Sequence, residues 1–436
     1  MDTYGINEVF GLSRDVPLNY VERESVDAKL KRNLNRSKHI TIFGSSKQGK
    51  TCLRKHCLTQ DQYILVSCNN KWSIANLNSD ILKQAGYEIT GTTTKTVGGE
   101  AKVVASVEAK VPLLGKGDVK GEANVTGEYE TSKHRLELDL SDVNDIVSAL
   151  KEISFNKYIV LEDFHYLKVE TQRDFSFALK AFHENSDFSF IIVGVWLDEN
   201  RLSVYNGDLT GRLIPINADN WTDDELKQVI EKGANLLNVC FANQFVSSLV
   251  KSCLGNVYIV QEACHRACER EGIMQTLPEK RMICQTQNAE KIIREIIQEQ
   301  SGRYNAFISS YADGFQGTAL EMYKWMLYPI LTSNIDELSS GLKYTSLRTT
   351  LQKVHPRKEN LNPGSLTQAL QATVSLQQTK NIQPIILDYD ESNRTLHVVD
   401  RGFLIWLSTQ DRNELLNSIG LPEWNKAEEQ LSIPLG

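Results

Sequence analysis

Short apolar runs alternate with amphipathic stretches through the first half of the chain. Five of these runs read as strands, at residues 39–43, 63–66, 157–161, 188–195 and 212–216. Between several of them, apolar residues recur at helical spacing. Strands that are apolar on both faces and alternate with helices favour a parallel sheet with helices on each side. We therefore expect a three-layer α/β unit.

Helical patterns dominate the second half. Residues 222–237, TDDELKQVIEKGANLL, place a Thr and acidic residues before a helical pattern, and further helical stretches follow. Three more helices are predicted at 319–331, 344–354 and 365–379, ahead of a β-hairpin over 382–400. Three helices followed by such a hairpin are typical of a winged helix.

Residues 92–137 interrupt this organisation, because they lack Phe, Trp, Met and Cys and are too poor in large apolar side chains to form a core. Strict alternation over 102–111 and 120–129 predicts a long two-stranded hairpin with Pro112-Leu113-Leu114-Gly115 near its tip. The hairpin could pack on its own domain, or residues 98–130 could capture a protein partner through a strand edge. Insertion into a membrane barrel is disfavoured, because Val and Ala make a weak lipid-facing band.

Composition narrows the class of protein. The chain has 436 residues, is 41% hydrophobic and carries a net charge of −7, which argues against general binding of polyanions. No apolar run approaches the roughly 20 residues that span a bilayer, and the N-terminus lacks the features of a signal peptide. The eight cysteines are scattered through apolar stretches, as expected for reduced thiols. These features predict a cytoplasmic protein.

The first strand runs into a glycine-rich loop and then a helix. The loop, GSSKQGKT, fits G-x-x-x-x-G-K-[ST] without a mismatch. Such a corner places backbone N–H groups around a phosphate chain at the positive end of a helix dipole. Lys50 is expected to reach the β- and γ-phosphates, and the Thr51 hydroxyl to bind Mg²⁺. The predicted nucleotide contacts here are Gly44, Ser45, Ser46, Lys47, Gln48, Gly49, Lys50, Thr51 and Cys52.

An acidic pair ends a later apolar strand. Residues 158–163 read YIVLED, so Glu162 and Asp163 follow the strand directly. A magnesium ion on a triphosphate needs a carboxylate ligand, and the attacking water needs a base or an orienting group. Asp163 could instead cap the following segment. His165 beside the pair is interpreted as structural or as a sensor of the nucleotide state.

The two motifs together resemble the Walker A and Walker B pair of the additional-strand P-loop ATPases. Within these, the chain most resembles the STAND class of regulatory ATPases and the related origin-recognition branch of the AAA+ proteins, over roughly residues 17–290. The resemblance implies ATP with Mg²⁺, Glu162 and Thr51 as metal ligands, and Asp163 as the residue that activates water. Those families usually have Asp at the metal position, and the shorter Asp163 in the second position predicts slow hydrolysis.

The resemblance also implies two nucleotide contacts outside the motifs. Arg23, in Tyr20-Val21-Glu22-Arg23, matches a motif that lies near the adenine, or it belongs to a solvated helix start. Leu254-Gly255-Asn256-Val257 matches a G-x-P motif of the helical domain, whose proline sits against the nucleotide. Val257 replaces that proline, which weakens the expectation of a contact there.

Further residues match positions on the hydrolytic side. Arg212 lies where related ATPases carry an arginine finger that acts on a neighbouring subunit, or it forms an ordinary salt bridge. Asn200 or Arg201 lies where a sensor residue is expected. The predicted catalytic residues are Asp163, Glu162, Lys50 and Arg212.

These observations predict an α/β fold with a three-layer P-loop ATPase core that carries a β-hairpin insertion, a helical lid domain and a C-terminal winged helix. The predicted boundaries are 1–16 for an N-terminal tail, 17–216 for the core, 92–137 for the insertion, 217–300 for the lid, 301–416 for the winged helix and 417–436 for a C-terminal tail.

The predicted function is that of a slow regulatory ATPase that switches conformation and assembles into a homo-oligomer when ATP binds. The resemblance implies a place in bacterial signalling or anti-phage defence. The alternative is a DNA-binding ATPase of the loader or transposition-regulator kind, with Arg357 and Lys358 near the duplex. No Lys or Arg precedes Lys380 in the third helix, which favours a packing or autoinhibitory winged helix over one that binds DNA. A non-hydrolysing interaction protein is a third possibility.

Overall fold

A computed structural model gives the structure of the protein, and it describes residues 2–11, 15–97, 100–109, 135–317 and 319–425. The elements up to residue 217 are, in chain order, α1 (Ile6–Val9), α2 (Lys29–Leu34), β1 (His39–Phe43), α3 (Lys50–Cys57), β2 (Tyr63–Ser67), α4 (Ile74–Ala85), β3 (Tyr87–Val97), β4 (Glu100–Ala109), β5 (Arg135–Asp139), α5 (Val143–Glu152), β6 (Tyr158–Glu162), α6 (Val169–Asn185), β7 (Phe190–Val193), α7 (Arg201–Tyr205) and β8 (Leu213–Asn217).

A parallel sheet of five strands forms the centre of this half, in the order β2-β6-β7-β1-β8. The strand β1 leads into the glycine-rich loop, and β6 ends in the acidic pair. One strand, β7, lies between them. This is the additional-strand arrangement, and it brings the loop and the acidic pair to the same carboxyl edge of the sheet.

Helices cover both faces of the sheet. Apolar residues of α2 and α3, such as Leu30 and Leu53, pack on one face with Ile40 and Ile42 of β1. The helices α4, α5 and α6 pack on the other face. All five residues of β1 are buried, as a central strand covered on both sides requires. The predicted three-layer α/β unit is confirmed.

The insertion differs from the predicted hairpin. The strand β4 contains most of the first predicted strand, but it pairs with β3 on one side and with β5 on the other over residues 104–108. Both edges of residues 104–108 are therefore occupied, and the predicted pairing of this stretch with 120–129 is wrong. Residues 120–129 and the predicted tip lie outside the described residues. Buried Ala105 and Val107 pack into the hydrophobic core of the α/β unit, so the base of the arm belongs to its own domain.

The elements after residue 217 are α8 (Asp223–Leu236), β9 (Val239–Phe241), α9 (Asn243–Ser252), α10 (Val257–Arg270), β10 (Arg281–Ile283), α11 (Ala289–Gln298), α12 (Ser301–Ala312), α13 (Met322–Thr332), α14 (Ile335–Ser340), β11 (Leu342–Lys343), α15 (Tyr344–Val354), α16 (Pro363–Gln371), α17 (Thr373–Thr379), β12 (Leu387–Asp390), β13 (Thr395–Val398), α18 (Arg401–Ser408) and α19 (Arg412–Ser418).

The helical region opens as its sequence predicts. Thr222 accepts a hydrogen bond from the Glu225 amide, and the Glu225 side chain accepts one from the Thr222 amide, which is a capping box at the start of α8. The helix α1 packs into the same core: a Cβ on Gly233 would lie 2.3 Å from the Phe10 ring. Residues 6–10, within the predicted N-terminal tail, thus contribute to the helical region.

The region from α13 to β13 has the order of a winged helix. The three predicted helices appear as α13, α15 and α16 with α17, and the short helix α14 is added before β11. The strand β11 joins the later hairpin to give the sheet order β11-β13-β12. The predicted third helix is split at Ala372 into α16 and α17. One hydrophobic cluster runs from α8 to Leu421, so the helical region and the winged helix share a core. Within the described ranges, every helix is too short or too polar to cross a bilayer.

Candidate nucleotide-binding site

The loop between β1 and α3 has the tight backbone that its glycines predict. Gly44, Lys47 and Gly49 have positive φ angles of 146°, 61° and 81°. A Cβ on Gly44 would lie 3.0 Å from the backbone nitrogen of Asp219, so only glycine fits both the φ angle and this close approach. The helix α3 begins at Lys50, and the first turn of a helix leaves backbone N–H groups free to bind an anion.

The Lys50 side chain folds back onto this loop. Its Nζ donates hydrogen bonds to the carbonyl oxygens of Gly44 and Ser45, at 3.0 and 2.6 Å. Burial lowers the pKa of the amine to about 8, while nearby carboxylates, Asp219 foremost, act in the opposite direction. A buried amine held only by carbonyl oxygens can exchange them for phosphate oxygens, which offer full counter-charge.

Glu162, the predicted metal ligand, faces α3 from the end of β6. Its Oε1 accepts a hydrogen bond from the Thr51 hydroxyl at 2.8 Å, and its Oε2 accepts one from Arg54 Nε at 3.0 Å. A hydroxyl beside a carboxylate is a set of hard oxygen donors, which fits Mg²⁺. Thr51 and Glu162 would hold that ion, and it would neutralise charge on the phosphates.

Asp163 follows in a left-handed conformation, with a φ angle of 58°, and starts a single 3₁₀ turn over Phe164–Tyr166. Desolvation raises the pKa of its carboxyl group and Glu162 raises it further, whereas Lys50 lowers it. A carboxylate with a raised pKa is a stronger proton acceptor, which suits a role in water activation. In the same turn His165 is buried, and burial lowers its pKa well below the ordinary value, so its ring is neutral.

A cleft of about 460 Å³ connects these groups with the helical region. Its volume lies within the range of small-molecule and cofactor sites. Cys52, Val257 and Tyr258 contribute to its lining, so α10 reaches the cleft although valine replaces the expected proline. The side chain of Lys47 lies 4.0 Å above the Tyr258 ring.

The leading segment before α2 forms another wall of the cleft. Arg23 stacks on Trp221 at 4.0 Å and donates to the Ala218 carbonyl at 3.0 Å, so it is a buried part of the cleft and not a solvated helix start. Asn19 and Gln261 exchange two amide hydrogen bonds of 2.9 Å each, which fasten this segment to α10.

Two buried polar side chains of the loop lack partners among the described residues. These are the Ser45 hydroxyl and both amide atoms of Gln48. Native proteins satisfy such groups with a ligand or with water. Their position in the phosphate loop is what a nucleotide-binding site would produce.

The C-terminal region reaches the loop directly. The Ser46 amide donates to the carbonyl of Val399, at the end of β13, over 2.9 Å. The Ser45 amide donates to Asp219 Oδ1 at 2.9 Å, and Asp219 Oδ2 accepts from Arg401 at 2.6 Å. Two loop amides are therefore already paired, one with the C-terminal region and one with a carboxylate that this region neutralises.

The same region also contacts the turn that follows the acidic pair. Gln378 of α17 donates to the carbonyls of His165 and Tyr166, both at 3.0 Å, immediately after the acidic pair. Arg201, the first residue of α7, donates to both carboxylate oxygens of Asp388 at 2.9 and 3.0 Å. Arg201, a predicted sensor, is thus engaged by the winged helix.

Arg212 lies away from the cleft. It precedes β8, at the amino edge of the sheet, and forms a 2.8 Å ion pair with Glu184. Within its own chain it cannot reach the phosphate loop at the opposite edge, so a role as arginine finger requires a second subunit. Asn200, the other predicted sensor, directly precedes α7.

Some residues of the site had no signal in the sequence. Asp219, Arg401 and Gln378 belong to no motif, because their partners are distant along the chain and single polar residues of this kind are common. Arg54 could have been noticed, since it lies one helical turn after Thr51 on the helix that follows the loop.

Comparisons with known proteins find similarity only among solved structures. No family model matches the chain, and no curated protein sequence matches it. A Walker-type ATPase of Pyrococcus abyssi is similar at 12% identity and a TM-score of 0.48, covering 92% of this chain and 99% of that one. The Aeropyrum pernix ORC1 protein, solved in complex with DNA, is 12% identical with a TM-score of 0.44 and 96% coverage of both chains.

A STAND protein with a tetratricopeptide repeat sensor, from Pyrococcus horikoshii, is also 12% identical, with a TM-score of 0.37. The similarity covers 97% of this chain and 47% of that one. The strand order of the chain itself shows that it has the additional-strand P-loop fold.

Proposed function

We propose that the protein binds ATP with Mg²⁺, hydrolyses it slowly, and uses the nucleotide state to dock or release its C-terminal region. One observation carries this proposal: the Ser46 amide of the phosphate loop donates to Val399 of the C-terminal region. An amide of a phosphate loop that pairs with another domain is available to either the domain or the ligand. The docked arrangement is then one of two states of a switch.

Docking is supported by contacts to three separate parts of the site. The loop contacts Val399, the turn after the acidic pair contacts Gln378, and the segment after β7 contacts Asp388. A ligand that moves any of these parts changes the free energy of docking, because buried polar groups lose their partners. Such differential contacts are what a ligand needs to shift a conformational equilibrium.

Slow hydrolysis is supported by the acidic pair. Asp163 is one methylene shorter than a glutamate at this position would be, and it begins a turn whose carbonyls are bound to Gln378. A base that is short and held by a docked domain is poorly placed to activate water until that domain is released. The rate of hydrolysis would then set the rate at which the protein returns to the docked state.

Assembly is the predicted consequence of release. Arg212 is half-buried, lies at the edge opposite the phosphate loop, and can meet a nucleotide only on another copy of the chain. A homo-oligomer in the ATP state gives this residue a role. A place in bacterial signalling or anti-phage defence rests on the STAND resemblance and stays a prediction.

Light scattering combined with small-angle X-ray scattering tests the switch. The protein is measured without nucleotide, with ADP, and with a non-hydrolysable ATP analogue. We expect the ATP analogue alone to increase the radius of the monomer or the mass of the particle. Lys50→Met serves as the control that keeps the fold and loses the response. An unchanged radius and mass at saturating analogue would refute the switch.

The DNA-binding alternative receives no support from the docked arrangement. The helix α17 buries Thr373, Val374 and Leu376, and Gln378 on the same helix bonds to the ATPase core. This half of the predicted recognition helix therefore cannot enter a major groove while the winged helix is docked. Salt-dependent binding of duplex DNA that disappears in Arg357→Gln/Lys358→Gln would reinstate the alternative.

A further inference from the structure

Two side chains on one face of α3 each donate a hydrogen bond to a different oxygen of the Glu162 carboxylate. The Thr51 hydroxyl donates to Oε1 and, one helical turn later, Arg54 Nε donates to Oε2. The main chain is also held, because the Glu162 carbonyl accepts a hydrogen bond from the Cys68 amide at 2.9 Å. The carboxylate therefore has a fixed orientation, with Oε1 toward the helix N-terminus and Oε2 behind it.

Arg54 is itself rigidly placed. Its side chain is only 2% exposed, whereas that of Glu162 is 14% exposed. Its guanidinium lies 4.8 Å above the Tyr63 ring on the edge strand β2. A buried arginine that stacks on an aromatic ring and bonds to a single carboxylate has little freedom to choose another partner.

This contact accounts for the unusual residue at the metal position. Glutamate has one more rotatable bond than the aspartate usual at this position, so its carboxylate sweeps a larger volume. A second donor behind the carboxylate removes that freedom. Partners that orient a metal ligand from behind commonly change metal affinity by about 10- to 100-fold when they are removed.

We propose that Arg54 is a positioning residue that orients Glu162 for Mg²⁺, and that it sets the magnesium dependence of nucleotide binding. The inference rests on the proposed binding of a magnesium–nucleotide complex. It deepens that proposal by naming a residue outside both Walker motifs on which the metal depends.

The test measures binding of N-methylanthraniloyl ATP by fluorescence, in EDTA and over a magnesium titration, to the full chain. Wild type is compared with Arg54→Lys, Arg54→Met and Glu162→Gln. We expect Arg54→Met to need about tenfold more Mg²⁺ for half of the magnesium-dependent gain in affinity. Its affinity in EDTA should match that of wild type, because Arg54 does not line the phosphate loop.

Arg54→Lys keeps the positive charge but not the planar Nε–H donor, so it should need more Mg²⁺ than wild type and less than Arg54→Met. In the Glu162→Gln background, adding Arg54→Met should change the magnesium dependence no further. Thermal unfolding identifies a variant that has lost its fold, in which case Arg54→Lys alone decides.

Three results would overturn the inference: an unchanged magnesium requirement in both Arg54 variants, a lower requirement, or an equal further loss in the Glu162→Gln background. A lower requirement would mean that Arg54 acts as a competing cation. Failure of wild type to bind the nucleotide at all would instead refute the proposed function, so the two failures are distinguishable.

Discussion

The ion pair between Arg201 and Asp388 offers the sharpest perturbation of docking. It joins the segment after β7 to β12 of the winged helix, and the two side chains are 9% and 1% exposed. Asp388→Ala removes the carboxylate and leaves the guanidinium buried without its counter-charge for as long as the winged helix stays docked. Undocking returns Arg201 to water, so the substitution acts on the docking equilibrium.

The size of the effect follows from burial. Removing one partner of a buried ion pair typically costs about 3–5 kcal/mol, because the remaining charge is desolvated without compensation. At about 1.4 kcal/mol for each factor of ten, that cost shifts the docking equilibrium by roughly two to four orders of magnitude. If the docked state of the wild-type protein is favoured over the undocked state by less than this cost, Asp388→Ala makes the docked state the minor one.

Hydrogen exchange at the Ser46 amide is the direct assay, because that amide is bonded to Val399 only in the docked state. Asp388→Ala should lose protection at Ser46 and show a larger radius in small-angle scattering. The double variant Arg201→Met/Asp388→Leu is the matched control, since apolar residues can replace a buried ion pair at little cost. It should restore protection.

Unchanged protection at Ser46 in Asp388→Ala would refute the reasoning. Asp388 is buried within β12, so the winged helix must also be shown to remain folded. Exchange at β12 and β13 amides answers this. Loss of protection there would attribute the opening to unfolding of the winged helix and not to the missing ion pair.

Three further predictions concern the cleft. Burial depresses the Lys50 pKa to about 8, so in the free protein the amine is charged below that pH and loses its charge above it. The ATP affinity measured by calorimetry should therefore be constant from pH 6.5 to 7.5 and fall between pH 8 and 10. Lys50→Met should flatten this pH profile. Gln378→Leu leaves two carbonyls without a donor, at a cost of about 1–3 kcal/mol to the docked state. It should accelerate nucleotide exchange measured by stopped-flow fluorescence. An unchanged rate would exclude coupling between docking and nucleotide exchange. Glu162→Gln should abolish phosphate release while nucleotide binding in EDTA persists, and continued turnover would remove Glu162 from the metal site.

Local patterns were sufficient to predict most of the fold. The glycine spacing before α3 and the acidic pair after β6 are short-range signals, since each element is contained within a few consecutive residues. The cap at Thr222 is equally local. Parallel strands buried on both faces leave continuous apolar runs, which explains why the sheet strands were predicted within a few residues of their observed bounds.

The insertion was predicted less well because strand alternation does not specify a partner. Residues 87–97, YEITGTTTKTV, are rich in β-branched threonine, which favours strands, yet their polar character hid the strand β3. The alternation over 102–111 correctly predicts a strand over the part that the structure describes, residues 102–109. Its pairing with 120–129 was inferred from proximity along the chain, and the strand instead pairs with β3 and β5.

The docking contacts were beyond sequence reasoning for a different reason. Arg201 and Asp388 are 187 positions apart, and Gln378 and His165 are 213 apart. A single polar residue carries no periodicity and no spacing that would indicate such a partner. Only the packing of the winged helix against the sheet edge brings these pairs together.

The residues that would bind the nucleotide are recognisable from local sequence motifs, whereas the residues that would regulate the site make contacts over long sequence distances. The groups that would hold a nucleotide and its metal are adjacent in sequence or follow strands that must meet at one edge of the sheet. Sequence motifs are therefore sufficient to predict them. The groups that would make the site responsive lie on the C-terminal region and touch the loop, the acidic turn and the segment after β7 separately. The contact at the acidic turn and the contact at Arg201 can each be removed by one side-chain substitution, Gln378→Leu or Asp388→Ala, without touching the phosphate loop. If nucleotide binding and docking are coupled, these two substitutions should alter nucleotide exchange in the same direction, because each destabilises the same docked state.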